Sequence, residues 1–265
     1  MLGLIVLSPE NGAGLAPHAL LDPLLGAPLL ARGIAAALPA DEAVTGVLVV
    51  PADLVDRVKE EIVERFGLDE IDRVVAGGPD RRAALSAGLD ALPPDVDFVL
   101  VHEGARVLVP TGLSDRVAAA ARGADAAVPA VPLKDVVIAG KSGQLVSLDT
   151  RPQLRVVQGP QCFRVSSLKA ALAQPHAPEK SEAELVALSG ASVAIVAGDE
   201  DNLLLHDSAD VSRALEVFSR RAVDYAFLYP RDLLPEDPLA KALDPNEART
   251  VPSDARVNPS DNVRS

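Results

Sequence analysis

Short apolar runs alternate with helix-period stretches along most of this chain, and that alternation constrains the fold more than any other feature. The runs Leu4–Leu7, Gly46–Val50, Arg73–Val75, Phe98–Val101, Ala126–Ala130 and Val193–Val196 read as buried strands. Between and after them, Leu24–Leu38, Ala52–Arg65, Arg82–Ala91, Leu113–Ala121 and Ser166–Ala173 read as helices. Strands that are continuously apolar, rather than alternating, are buried on both faces, and helices between them supply the crossovers of a parallel sheet. The expected class is α/β: a mostly parallel sheet with helices on both faces. Ligands of such sheets sit at the carboxyl ends of the strands, which directs attention to the loops after Leu7, Val75, Val101 and Ala130.

Two segments depart from the alternation. "KDVVIAGKSGQLVSLDTR", 134–151, has two β-branched runs around a Gly140–Gly143 turn and reads as a hairpin arm standing off the α/β body. An arm of this kind exposes sheet edges unless something covers it, and a second copy of the chain is the simplest cover. From about residue 231 to 265 the chain turns rich in Pro and Asp, a composition that cannot offset the entropy of ordering, so a flexible tail is expected after a domain spanning 1–230.

The net charge of −13 argues against partners such as nucleic acid or an anionic membrane, and requires that any bound phosphate meet local cations or a metal. No uninterrupted apolar run reaches the ~18 residues of a membrane span. The N-terminus lacks a basic leader region, and a single cysteine, Cys162, suits a reducing compartment, so a cytoplasmic location is expected. Aromatic residues make up 3% of the chain, leaving the core to Ala, Val and Leu.

The strand-end loops hold the residues that could do chemistry. After Leu7, "SPENGAGLAPH" has the glycines of a phosphate-binding loop, yet no Lys or Arg occurs before Arg32. In "VAGGPDRRAALSAGLDAL", 75–92, Gly77 and Gly78 would let a ligand approach the backbone, and Arg81 lies at the head of a helix, although a plain strand–turn–helix explains the same residues. In "FVLVHEGARVLVP", 98–110, Glu103 stands where a carboxylate could hold a divalent cation, with Arg106 positioned to pair with it or with substrate; a simple loop acid is the alternative. His18, His102, His176 and His206 have no metal-ligand spacing, and His102, following an apolar strand, reads as structural.

Taken in order, five blocks resemble the 2-C-methyl-D-erythritol 4-phosphate cytidylyltransferase family over roughly residues 3–222. "AGGPDRRAALSAGLDAL" resembles GG-x-x-R-x-x-S-V-x-x-G-L, and "VLVHEGARVLV" resembles V-L-V-H-D-A-A-R-P. "VPAVPLKDVV" resembles A-x-P-x-x-D-T-I-K, and "RPQLRVVQGPQCFR" resembles R-x-x-L-x-x-x-Q-T-P-Q-x-F. "GDEDNLLLHDSADV" resembles G-x-x-x-N-I-K-I-T-x-x-x-D-L. The resemblance implies a Rossmann-like nucleotidyltransferase fold that binds CTP with Mg²⁺, transfers CMP to methylerythritol phosphate, and forms a homodimer through intertwined arms. It places nucleotide contacts at Ser8, Gly12, Gly14, Gly77, Gly78 and Gly104, and the metal at Glu103. Substrate contacts fall at Arg106, Asp135 and Arg151, the last reaching across from the partner chain.

Several departures from the family pattern touch the chemistry. The first loop supplies no Arg, His18 stands where the family has Lys, and the second signature Lys falls on Leu204. Asp becomes Glu103, the hydroxyl positions become Val136 and Gly159, and the Ser of the glycine block becomes Ala84. Phosphoryl transfer builds charge that fixed cations stabilise, and losing one such donor costs ~10²–10³ in rate. Three readings follow: a catalytically degenerate member acting as a binding or regulatory paralogue; an active nucleotidylyltransferase on the same or another sugar or polyol phosphate, with His18 and Arg81 as replacement cations; and an assembly module that binds no nucleotide.

Overall fold

The computed structural model describes residues 1–8, 15–135, 139–141, 144–146, 154–175 and 181–228. The expected tail at 231–265, the glycines Gly12 and Gly14, and Arg151 lie outside the described residues.

Strand β1 (Leu2–Leu7) leads to a 3-10 turn at Pro17–Leu21, a tiny hairpin of β2 (Pro23–Leu24) and β3 (Ala27–Pro28), and α1 (Leu29–Ala37). Strand β4 (Val44–Val50) then precedes α2 (Val55–Val58), which is flanked by a 3-10 turn at Ala52–Leu54 and a π-wound stretch at Lys59–Glu64. Next come β5 (Ile71–Ala76), α3 (Arg81–Ala91), β6 (Phe98–Glu103), α4 (Leu113–Arg122) and β7 (Ala126–Pro132). The arm follows as β8 (Ala139–Lys141) and β9 (Gln144–Val146). The chain re-enters the sheet through β10 (Arg155–Val157) and β11 (Gln161–Arg164), then runs through α5 (Val165–Ala173), α6 (Glu182–Leu188), β12 (Val193–Ala197) and α7 (Ser208–Leu228).

The main sheet has the order β10-β7-β11-β6-β1-β4-β5, with β12 on the free edge of β7. β1 pairs in parallel with β4 and β6, and β4 with β5, so the sequence expectation of a mostly parallel sheet holds. The exceptions are β11, which runs antiparallel between β6 and β7, and β10, which pairs antiparallel with β7. Alternate residues of one strand feed two separate cores. Leu4 and Val6 join Leu48, Leu100 and the apolar face of α1 on one side, while Ile5 and Leu7 join Val49, Val101 and Leu85 of α3 on the other. Both sets are withdrawn from water, each large side chain contributing ~1.5–3 kcal/mol.

The leucine-rich stretch expected as one helix, Leu24–Leu38, is corrected. Pro23 precedes it and Pro28 lies within it; Pro28 caps α1 from outside, and the residues before it turn back as β2–β3. Proline in a helix interior removes a hydrogen bond and clashes with the preceding turn. Leu25 takes a left-handed φ of 52°, and the buried guanidinium of Arg32 holds that turn by donating to the carbonyls of Leu24 and Leu25, both at 2.5 Å. The helix expected over Ala52–Arg65 is present but wound unevenly. Of the hairpin expected at 134–151, the described residues Ala139–Lys141 and Gln144–Val146 pair antiparallel as β8–β9, with Ala139 opposite Val146 and Lys141 opposite Gln144; 136–138, 142–143 and 147–151 lie outside the described residues.

Candidate functional site

Three strand-end loops are fastened side by side at the carboxyl edge of the sheet. The Ser8 amide donates to the Val49 carbonyl at 3.0 Å, that of Gly77 to Val50 at 2.7 Å, and that of Gly104 to Leu7 at 2.8 Å. The floor is tight: a Cβ on Gly33 of α1 would collide with the Gly104 carbonyl, and one on Gly104 would lie 2.7 Å from Leu30 Cδ1. Glycine at these two positions is what allows α1 to pass directly beneath the loop after β6.

Glu103, the last residue of β6, sits at the centre. Its Oε2 accepts from Arg106 Nε at 3.0 Å, and its Oε1 lies 3.7 Å from Arg81 Nη2. Burial opposes its ionisation, but the two guanidiniums outweigh it and hold the carboxyl below the usual glutamate range. Arg106 is buried, and its Nη1 donates to the Asn202 carbonyl at 2.6 Å. Asn202 in turn donates from Nδ2 to the Gly159 carbonyl at 2.8 Å. A single run of polar contacts therefore joins the loops before β11 and before α7 to the end of β6. Gln158 adds a clamp: its Nε2 donates to the Asp199 carbonyl at 2.7 Å while its Oε1 accepts from the Asp199 amide at 3.0 Å.

Arg81 opens α3, directly behind Gly77 and Gly78. Its Nε donates to Glu182 Oε1 at 2.7 Å and its Nη2 to Glu182 Oε2 at 3.4 Å. Asp80 caps the same helix, accepting from the Ala83 amide at 2.8 Å. His18 is exposed on the 3-10 turn, its Nε2 3.7 Å from Asp53 Oδ2. Leu204, at the second lysine position, is half-buried and packs against the larger core. Asp135 is exposed beyond β7.

The structure thus brings together Ser8, Gly77, Gly78, Arg81, Glu103, Gly104 and Arg106, and places His18 beside Asp53. Two expectations are refined. Arg106 is engaged with Glu103 and a backbone carbonyl, and Arg81 is engaged with two carboxylates. Sequence reasoning missed Glu182, Asp80, Asn202 and the amide clamp of Gln158. The signal for α6 was available: Ser181 accepts from the Glu184 amide at 3.3 Å, the first half of an S-x-x-E capping box.

His102 is fully buried, as a structural histidine should be. Its Nε2 lies 3.1 Å from the Arg106 carbonyl, and Nδ1 is buried with no hydrogen-bond partner among the described residues. Burial lowers its pKa from 6.5 to about 4. Between those values the unfolded chain binds a proton at this position that the folded chain excludes. Stability is therefore complete above pH 6.5 and falls as the pH drops toward 4, by about 3 kcal/mol at most. Urea denaturation of His102→Gln and the unsubstituted protein across this range should show a shallower acid loss in the variant; parallel curves would contradict the assignment.

A family model for 2-C-methyl-D-erythritol 4-phosphate cytidylyltransferase matches residues 13–220. The chain belongs to that family. It is 37% identical over 235 residues to the 2-C-methyl-D-erythritol 4-phosphate cytidylyltransferase of Streptomyces avermitilis, covering 83% of this chain and 93% of that protein. It is 36% identical over 194 residues to the one from Cereibacter sphaeroides, covering 73% and 85%. Among solved structures it resembles the cytidylyltransferase of Thermus thermophilus with a TM-score of 0.61 at 29% identity, over 81% of this chain and 98% of that one. It also shares the fold of a 4-diphosphocytidyl-2C-methyl-D-erythritol synthase from Anaerococcus prevotii, with a TM-score of 0.68 at 21% identity, over 83% and 96%. The sheet and its helices are therefore those of the α/β nucleotidyltransferase-like fold. Among the described residues no helix is long and apolar enough to cross a membrane.

Proposed function

We propose that this cytidylyltransferase homologue binds a cytidine nucleotide but turns over CTP and methylerythritol phosphate slowly or not at all, serving as a cytoplasmic binding or regulatory paralogue. One observation carries the reading: Arg81, Arg106 and His18 are each matched to a carboxylate, and one signature lysine position is an apolar residue packed on the core. Arg81 faces Glu182 and Glu103, Arg106 faces Glu103, and His18 faces Asp53. Leu204 offers no charge, whereas phosphoryl transfer depends on preorganised cations aimed at the oxygens where charge builds.

Magnesium commonly binds through one or two carboxylates together with substrate phosphates and water. Glu103 alone suits a cation that arrives with a nucleotide, and no cluster of three ligating side chains occurs among the described residues. Such an ion would supply charge for the phosphates, and Arg81 would yield Oε1 while remaining on Glu182. The homodimer belongs to the same proposal. β8–β9 forms a sheet of its own, and Leu154, Val156 and Val157, at and just before β10, are exposed. A dimeric mass in light scattering that becomes monomeric on deletion of 136–150 supports the arm as the interface; a monomeric intact chain opposes it.

The test of function is pyrophosphate release from CTP, methylerythritol phosphate and Mg²⁺, run beside a family relative. The expected rate is at least roughly a thousandfold lower, from the loss of more than one donor. A rate within about tenfold would overturn the proposal. The second reading, an active nucleotidylyltransferase using His18 and Arg81, draws support from the identity across nearly the whole Streptomyces relative. It requires that His18→Ala abolish turnover.

A further inference from the structure

We propose that Gly159 is a positioning residue for Glu103: the side chain missing at 159 leaves the space in which the Glu103 carboxylate lies against Arg106, so the two residues form one matched pair. This pairing lies beyond the proposed function and stands whether or not the chain turns over a nucleotide.

A Cβ placed on Gly159 would lie 2.9 Å from Glu103 Oε2, 3.5 Å from Arg106 Nε and 3.6 Å from Arg106 Cδ. It would press on the same carboxylate oxygen that accepts from Arg106 Nε at 3.0 Å. Conformational freedom does not account for a glycine here, because its φ is not in the left-handed region. Among the described glycines that region is taken by Gly26, Gly67, Gly112 and Gly190. The nature of the obstacle matters. At Gly33 an added Cβ meets the Gly104 carbonyl, a fixed piece of main chain. At Gly159 it meets the far end of a side chain, so the fit depends on the length of residue 103.

The main chain at 159 has little room to retreat. Its carbonyl accepts from Asn202 Nδ2 at 2.8 Å. The Gln158 amide just before it donates to the Pro129 carbonyl at 2.8 Å, and the Gln158 side chain clamps both backbone groups of Asp199. Just beyond it, Gln161 is already in register with Val101 of β6. The strain of an added side chain therefore falls on Glu103. Displacement would take Oε2 from Arg106, a guanidinium whose side chain is 8% exposed, where an unpaired charge is costly. Both positions depart from the family pattern, which has Asp where Glu103 stands and Thr where Gly159 stands. The geometry makes the two departures one exchange: a longer acid at 103 is accommodated by a missing side chain at 159. The pairing also commits Oε2 to Arg106, so that Oε1 is the oxygen left for a ligand.

Urea unfolding of the full chain as Gly159→Ala, as Glu103→Asp and with both changes separates this pairing from a plain turn glycine. Aspartate is one methylene shorter and withdraws its carboxylate from the space beside residue 159. Each single change is expected to lower the folding equilibrium constant by about tenfold or more. The alanine does so by pushing Glu103 off Arg106, and the aspartate by failing to reach it. The double variant should lose no more than either single one, a coupling of about tenfold. A second readout, which a merely structural glycine would not move, is the Arg106 Nε–H resonance in proton–nitrogen correlation spectra, assigned by its loss in Arg106→Lys. In Gly159→Ala its exchange with water should speed by about tenfold or more as the carboxylate leaves it. Losses that multiply in the double variant overturn the pairing. So does an alanine variant as stable as the unsubstituted protein, or one whose Arg106 resonance is unmoved. Should Gly159→Ala fail to fold, a folded double variant supports the pairing and an unfolded one overturns it.

Discussion

Restoring the two signature cations together, as His18→Lys with Leu204→Lys, is expected to raise pyrophosphate release from CTP and methylerythritol phosphate on the order of a hundredfold or more over the unsubstituted protein. The scaffold is prepared for both changes. Residue 18 is exposed on a short 3-10 turn, where lysine replaces histidine without disturbing packing. Leu204 is half-buried, so a lysine there can lay its methylenes on the core and extend its ammonium outward; losing the leucine contacts costs about 1 kcal/mol. A lysine ammonium offers three rotatable donors on a long flexible stem, more than an imidazole ring can present. Each single change should give less than the pair, because donors acting on one transition state do not contribute independently. If the double variant is well folded and no faster, missing lysine charge is not what limits this protein.

Arg106→Met is expected to cost about 3 kcal/mol of stability and to disorder the loop that carries Asn202. The guanidinium is 8% exposed and satisfies both Glu103 Oε2 and the Asn202 carbonyl. Removing one member of a buried pair strands the other charge, which accounts for most of the penalty. The shape-preserving double change, Arg106→Met with Glu103→Gln, should recover much of that loss. Denaturation midpoints of the three variants give the answer, and an Arg106→Met protein as stable as the unsubstituted one would show that the contact carries little energy.

The frame of the fold was legible because the central strands are apolar on both faces. Leu4 to Leu7 feeds two cores with alternate side chains, and this is what a continuous run without polar interruption predicts. The parts that escaped detection have weaker physical signatures. β10 and β11 lie in one stretch broken by Gly159–Pro160, and their antiparallel pairing depends on β6 and β7, far away in sequence. The Leu24–Leu38 stretch reads wrongly as one helix because its leucines outweigh Pro28, whose meaning is local and decisive. In the site, residue types at strand ends pointed to Glu103 and Arg106, whose side chains meet in the structure. What could not be read was that the charges would cancel one another. Glu182 lies on a helix of seven residues, too short to show periodicity, and its contact with Arg81 spans 101 residues.

The most direct test of the account is single-turnover chemistry with labelled CTP, excess contaminant-free protein, Mg²⁺ and methylerythritol phosphate. The account predicts that CTP remains intact over a period in which a family relative, such as the Streptomyces avermitilis protein, converts it fully. Conversion by this chain at a rate comparable to that relative would contradict it.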